Sequence, residues 1–158
     1  LVVQRAYMDT HEGRLPIQDG IDVMTVGGVT FKRYLEIAKI LNKETAVVTD
    51  NDGNIKAITD KYKEYEGIPF IHICFDKVVD TGNLKLSDKN FNYNTLEPKI
   101  LKENGREVLN NIFGTDYNTD DEMHKYMHAH KTDCAIAIFE SATKIKYPEY
   151  IMRALKNE

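Results

Sequence analysis

The chain has 158 residues, 42% apolar and 29% charged, an ordinary globular balance with enough length for one domain and a real core. A formal net charge of −4 excludes a global positive field that draws in nucleic acid, so DNA binding needs a local basic patch or bound metal ions. No apolar stretch approaches membrane-spanning length, no signal-peptide pattern is visible, and the two cysteines, Cys74 and Cys134, lie in apolar runs. These features predict a cytoplasmic chain with buried thiols, no membrane partner and no disulfide framework.

Leu1 to Met8 carries apolar residues at helical spacing with no N-cap before them and no initiator methionine. We expect it to continue a helix that begins upstream, in a chain excised from a longer one. Asp9 to Pro16 reads as a polar loop. Ile21 to Val26 predicts a strand, ended by Gly27-Gly28, with a structural role for Asp22. A helix should follow from Thr30, as N-cap, to Leu41, with Phe31, Tyr34, Leu35, Ala38 and Leu41 on its apolar face. Asn54 to Tyr65 is charged, but Ile55, Ile58 and Tyr62 are spaced for a helix that Gly67 ends. Pro69 to Phe75 predicts another strand. The order strand, helix, strand, helix, strand indicates an α/β fold with a mostly parallel central sheet flanked by helices. An open edge in that sheet would be filled by a partner chain or left as a groove.

Asp76 to Asn94 reads as a long connection, with a hairpin near Thr81-Gly82-Asn83. Helices are expected from Thr95 to Glu103, tolerating Pro98 in the first turn, then to Phe113, then from Asp120 to His128 with acids first and histidines last. Thr132 is the expected N-cap before Cys134, and Pro148 should start a final helix through Ile151 and Leu155. There are no internal repeats, and no phosphate-binding P-loop is present.

The rest is organised around Thr45-Ala46-Val47-Val48-Thr49-Asp50-Asn51-Asp52-Gly53. A β-rich apolar run ends in two carboxylates one residue apart. In an open α/β sheet ligands bind at the carboxyl ends of strands, where Asp50 and Asp52 would sit. Residues i and i+2 of an extended chain share a side, so both carboxylates could face one ion, with Gly53 turning the chain beneath them. The plainer reading is a solvated Asp-Asn-Asp-Gly turn. Paired aspartates with further acids and a lysine suit phosphoryl transfer. Hard oxygens hold Mg²⁺ or Mn²⁺, two ions about 4 Å apart clamp the attacking and leaving oxygens, and a lysine offsets charge developing on the phosphate.

Gly20-Ile21-Asp22-Val23-Met24-Thr25-Val26-Gly27-Gly28, the Phe31-Lys32-Arg33-Tyr34-Leu35 helix and Ala46-Val47-Val48-Thr49-Asp50-Asn51-Asp52-Gly53 together resemble the Toprim domain of OLD-family (overcoming lysogenization defect) ATP-dependent nucleases. Asn94-Thr95-Leu96-Glu97-Pro98 resembles the family's second acidic motif. His130-Lys131-Thr132-Asp133-Cys134-Ala135 resembles its lysine motif, followed by the Tyr147-Pro148-Glu149-Tyr150-Ile151 helix. The resemblance implies a single Toprim nuclease domain over 1–158, with Asp50 and Asp52 as metal ligands and Glu97, with Thr95 beside it, helping to hold a second ion. Lys131 would be the catalytic lysine. It further implies Mg²⁺ or Mn²⁺ as cofactor, DNA as partner and a possible homodimer through the parent chain. ATP would act only in an ATPase region outside this chain. The family's first motif, a strand ending in Glu-Gly, has no counterpart here, so the parent is expected to cut DNA and the isolated fragment to be weak or inactive.

Two other classes remain open. A non-catalytic regulatory or assembly module would tolerate loss of the first motif. A haloacid-dehalogenase-type phosphatase shares Asp-x-Asp-Gly, but Asn54 replaces its usual Thr and its acids belong after the lysine. A calcium EF-hand fails because Gly53 stands at the wrong loop position. His124, His128 and His130 form either a metal site or a helix end. His72 reads as a satisfied core histidine. Without the resemblance, Lys131 would be a solvated charge and Glu97 a first-turn acid favoured by the helix dipole.

Overall fold

The fold is described from a computed structural model of the chain. It describes residues 1–27, 31–82, 84–86, 89–90 and 93–156, with backbone only for 85, 86, 89 and 90. Among the described residues eight α-helices accompany a small parallel sheet. In chain order the elements are α1 (Val2–Thr10), α2 (Phe31–Leu41), β1 (Thr45–Val48), α3 (Ile55–Tyr62), β2 (Ile71–Cys74), the short β3 (Lys85–Leu86) and β4 (Lys89–Asn90), α4 (Leu96–Asn104), α5 (Arg106–Phe113), α6 (Asp120–Ala129), α7 (Lys131–Glu140) and α8 (Glu149–Lys156). This is the mixed α/β class that the element pattern predicts.

The β-branched run Thr45–Val48 pairs with β2 in parallel, Thr45 opposite Ile71 and Val48 opposite Cys74. Main-chain bonds from Thr45 N to the Phe70 carbonyl (2.9 Å) and from Thr49 N to the Cys74 carbonyl (3.1 Å) extend the pairing at both ends. Successive side chains of a strand point to opposite faces, and here they join different cores. Val48 packs against a helical core of Val2, Ala6, Leu101, Leu109, Met123 and Ile151, with Tyr150 among them. Val47 packs against a second core of Phe31, Leu35, Ile58, Tyr62, Tyr65 and Ile71. The sheet is thus the seam between two apolar clusters, with α8 against both strands. Both cysteines are buried, as thiols rather than as a disulfide. Among the described residues no helix is long and apolar enough to cross a membrane.

Several local expectations are corrected. Residues 21–26 form no strand. Ile21, Asp22, Val23, Met24 and Thr25 are exposed, and only Val26 packs on the second core. Alternation marks a segment able to lie half-buried in a sheet, but a strand also needs a neighbour for its N–H and C=O groups. Among the described residues β1 pairs with β2 alone. Tyr34 and Leu41 of α2 are exposed, leaving Phe31, Leu35 and Ala38 as its buried face. Thr30, the expected N-cap, lies outside the described residues, as does Asn83 of the expected hairpin. The antiparallel ladder pairs 85 with 90 and 86 with 89, further along the connection. Thr132 is inside the first turn of α7, whose N-cap is His130. His72 is not a core residue: its ring is half-buried, with Nε2 2.7 Å from the Glu44 carboxylate.

The connection after β2 is stitched down by its own acids. Asp76 pairs with the buried Lys99 of α4, and Asp80 pairs with Lys102. Burial alone would raise the Asp76 pKa. The Lys99 and Val78 N–H bonds, with the charges of Lys99 and Arg153, outweigh it and hold the carboxyl below its ordinary 3.8. A group with a depressed folded pKa adds stability that is fully present above the unfolded value and is lost as pH falls through the folded one. Asp76→Asn should therefore flatten the acid limb of the melting-temperature profile below pH 3.8. At neutral pH it should cost about 1–3 kcal/mol, since it orphans a buried ammonium. Thermal melts from pH 2 to 7 check this, and an unchanged acid slope would refute it.

Candidate functional site

The site begins where β1 stops. Thr49 and Asp50 leave the strand, and Asn51 to Asn54 form a tight turn in which the Asn54 N–H donates to the Asn51 carbonyl at 2.7 Å. Both central residues have positive φ, +47° at Asp52 and +73° at Gly53. Aspartate tolerates that region and glycine occupies it freely, which matches a type I′ turn. The side chain of Asn51 accepts from the Gly53 N–H at 2.9 Å and, itself buried, donates to the carbonyls of Asp76 (2.9 Å) and Val78 (3.0 Å). Asn54 then caps α3, accepting from the Ala57 N–H at 3.0 Å.

This geometry corrects the expectation that Asp50 and Asp52 share a side as residues i and i+2 of an extended chain. The strand has ended, and Asp52 lies in a left-handed turn with an exposed side chain. The turn and the acidic site are not alternatives, since the turn is what presents Asp52.

Asp50 is held from two directions. Tyr150 Oη donates to its Oδ1 at 3.0 Å, and the Leu96 N–H, at the start of α4, donates to the same carboxylate. The second contact makes Asp50 an anion at a helix N-terminus, a favourable placement worth about 0.3–1 kcal/mol. It also fastens the Asp50 strand end to the helix that carries Glu97. Asn94 fixes the approach to that helix: its side chain accepts from the Asp80 N–H (2.8 Å) and donates to the Asp80 carbonyl (3.0 Å). Thr95 is the N-cap of α4 by backbone position, but its side chain makes no capping bond.

Glu97 lies in the first turn of α4, half-buried, with Oε1 2.9 Å from Lys131 Nζ. Lys131 is the first residue of α7. A cation there opposes the helix dipole, whereas Glu97 in the first turn of α4 is favoured by it. Lys131 therefore gains nothing from its helix position and is held toward the acids by Glu97. Asp50 bears the electrostatic mark of the group. Desolvation raises its pKa first. The Tyr150 and Leu96 bonds lower it, and the charges of Glu97 and Asp52 raise it again, leaving it above its ordinary value. Tyr150, buried beside Asp50, has its own pKa raised by desolvation and by that charge.

Asp50, Asp52, Glu97, Thr95 and Lys131 thus gather at one edge of the sheet from β1, α4 and α7. Among the described residues, however, no group of three or more His, Cys, Asp or Glu side chains is arranged to hold a metal ion. Glu97 is turned to Lys131 instead. The donor chemistry suits a hard divalent cation: oxygen ligands, one partly desolvated, whose mutual repulsion a cation would relieve. His124, His128 and His130 do not converge. His124 is fully buried, its ring centroid 6.3 Å from that of His128, while His130 packs at a tilt against Tyr126 and faces Asp133. Burial and the neighbouring His128 hold the His124 pKa below its ordinary value.

Sequence reasoning missed Asn51, Asn94 and Tyr150. Each carried a faint signal. Asn51 separates the two acids, Asn94 precedes the second acidic motif, and Tyr150 lies in the Tyr-Pro-Glu-Tyr-Ile stretch read only as a helix start.

Residues 1–52 match the family model described as overcoming lysogenization defect protein-like, TOPRIM domain. The match supports a Toprim domain of an OLD-family protein. It ends at Asp52, taking in both aspartates but neither Glu97 nor Lys131. Toprim domains generally bind divalent metals. No solved structure matches the chain.

Proposed function

We propose that this chain is the Toprim nuclease domain of an OLD-family ATP-dependent endonuclease, and that it hydrolyses DNA phosphodiester bonds with Mg²⁺ or Mn²⁺. The observation that carries this reading is the juxtaposition of Asp50, Glu97 and Lys131, from three elements far apart in sequence, at the carboxyl end of β1. Packing alone gives no reason for two carboxylates to sit together at a sheet edge with a lysine beside them.

Asp50, Asp52 and Glu97 would hold the metal, with Thr95 flanking them. The ion, when bound, would supply Lewis-acid activation and charge neutralisation. The chain's own contribution is placement. The turn presents Asp52, the Leu96 N–H holds Asp50 against α4, and Lys131 offers an ammonium to the phosphate. The pairing of Lys131 with Glu97 is half-exposed and worth about 0–1 kcal/mol, so a phosphate or a cation could open it at little cost. Dimerisation and ATP dependence would belong to the parent chain.

The test is a plasmid-cleavage assay on the parent protein with Mg²⁺, Mn²⁺ or chelator. The expected outcome is cutting that a chelator abolishes. Metal-independent cutting would sink the mechanism. An inert parent, insensitive to changes at Asp50, would favour a regulatory or assembly module.

A further inference from the structure

We propose that Tyr150 is a positioning residue for the site, acting through Asp50 by fixing the orientation of its carboxylate for a divalent cation. The inference rests on the reading of Asp50 as a metal ligand and names a residue which that reading does not contain.

Tyr150 Oη donates to Asp50 Oδ1 at 3.0 Å. The phenol is 3% exposed and packed in the helical core beside Ile151, itself fully buried. Its helix is fixed independently at a further point. Arg153, one turn on, donates from Nη2 to the Phe75 carbonyl at 2.6 Å, just past the end of β2. Tyr150 thus reaches Asp50 from a rigid support while Leu96 reaches it from α4. Two donors restrict the carboxylate torsion and leave the remaining lone pairs for an ion. Partners of this kind orient metal ligands, and losing one typically costs about 10- to 100-fold in metal affinity. A tyrosine with only a packing role would serve as well without its hydroxyl.

Tyr150→Phe removes that hydroxyl and keeps the ring. Mn²⁺ titration calorimetry and thermal melts on the 158-residue chain compare it with the unaltered protein, Asp50→Asn and Arg153→Gln. Arg153→Gln loosens the same helix at its other anchor without touching Asp50. The expected result is Mn²⁺ binding that Asp50→Asn eliminates and Tyr150→Phe weakens about 10- to 100-fold. Arg153→Gln should lower the melting temperature but leave the Mn²⁺ affinity within twofold. If Asp50→Asn eliminates binding while Tyr150→Phe binds as the unaltered protein does, the positioning role is overturned and the metal site stands. If Arg153→Gln weakens binding as much as Tyr150→Phe, the effect is helix docking and the role is again overturned. If the unaltered chain takes up no Mn²⁺, or Asp50→Asn takes it up equally, the metal-ligand reading fails and the proposal fails with it.

Discussion

Asp50→Asn is expected to abolish metal-dependent DNA cleavage by the parent protein while raising the melting temperature of the metal-free chain. The loss should exceed the roughly 10²–10³-fold that removing a single transition-state donor costs, because a direct metal ligand disappears. The gain follows from linkage. Asp50 is desolvated and faces Glu97 and Asp52, so its folded pKa lies above the unfolded 3.8. A carboxyl with a raised folded pKa loses stability as pH rises from the unfolded value through the folded one, and the penalty is complete above the folded value. Asparagine removes the charge and keeps an oxygen that Tyr150 can donate to. Alanine would orphan the buried Tyr150 hydroxyl and the Leu96 N–H, offsetting the gain by about 1–3 kcal/mol. Tyr150 is the reason to use asparagine rather than alanine. Thermal melts with chelator and plasmid cleavage with Mn²⁺ measure the two halves. Retained cleavage would remove Asp50 from the metal site, and a lowered melting temperature would show that its charge stabilises the fold.

Lys131→Met is expected to separate binding from chemistry. Cleavage should fall by about 10²–10³-fold, the range for losing one electrostatic stabiliser of the transition state. Mn²⁺ affinity should hold or tighten by up to about fivefold, because Glu97 no longer shares its carboxylate with an ammonium 2.9 Å away. Stability should change little, since the lysine is half-exposed and sits against the dipole of its own helix. Calorimetry and cleavage on the same variant read both quantities. If Mn²⁺ affinity drops together with cleavage, Lys131 organises the acids rather than serving the phosphate. Unchanged cleavage would return it to the status of a solvated charge.

Much of the molecule follows from local sequence. Helix faces are set by a 3.6-residue period that a few neighbouring side chains define: Phe31, Leu35 and Ala38, and Ile58 and Tyr62, are buried where expected, while Tyr34 and Leu41 of the same expected face are exposed. The β-branched run at Thr45–Val48, with its break into Asp-Asn-Asp-Gly, identifies a strand end whatever surrounds it. The family resemblance added the motifs at Glu97 and Lys131.

Tertiary structure alone decided three things. Whether Ile21–Val26 becomes a strand depends on a neighbouring edge, which no local pattern contains. How Asp50 and Asp52 are placed depends on turn dihedrals at Asp52 and Gly53, which remove the extended-chain premise of the strand-periodicity reading. And the contacts that orient the site come from afar: Tyr150, one hundred positions from Asp50, and Asn51, reaching across to Asp76 and Val78. Pattern reading sees a residue's period and its near neighbours. A hydrogen bond across a core is fixed only when separate helices pack, and packing joins residues that share no window of sequence.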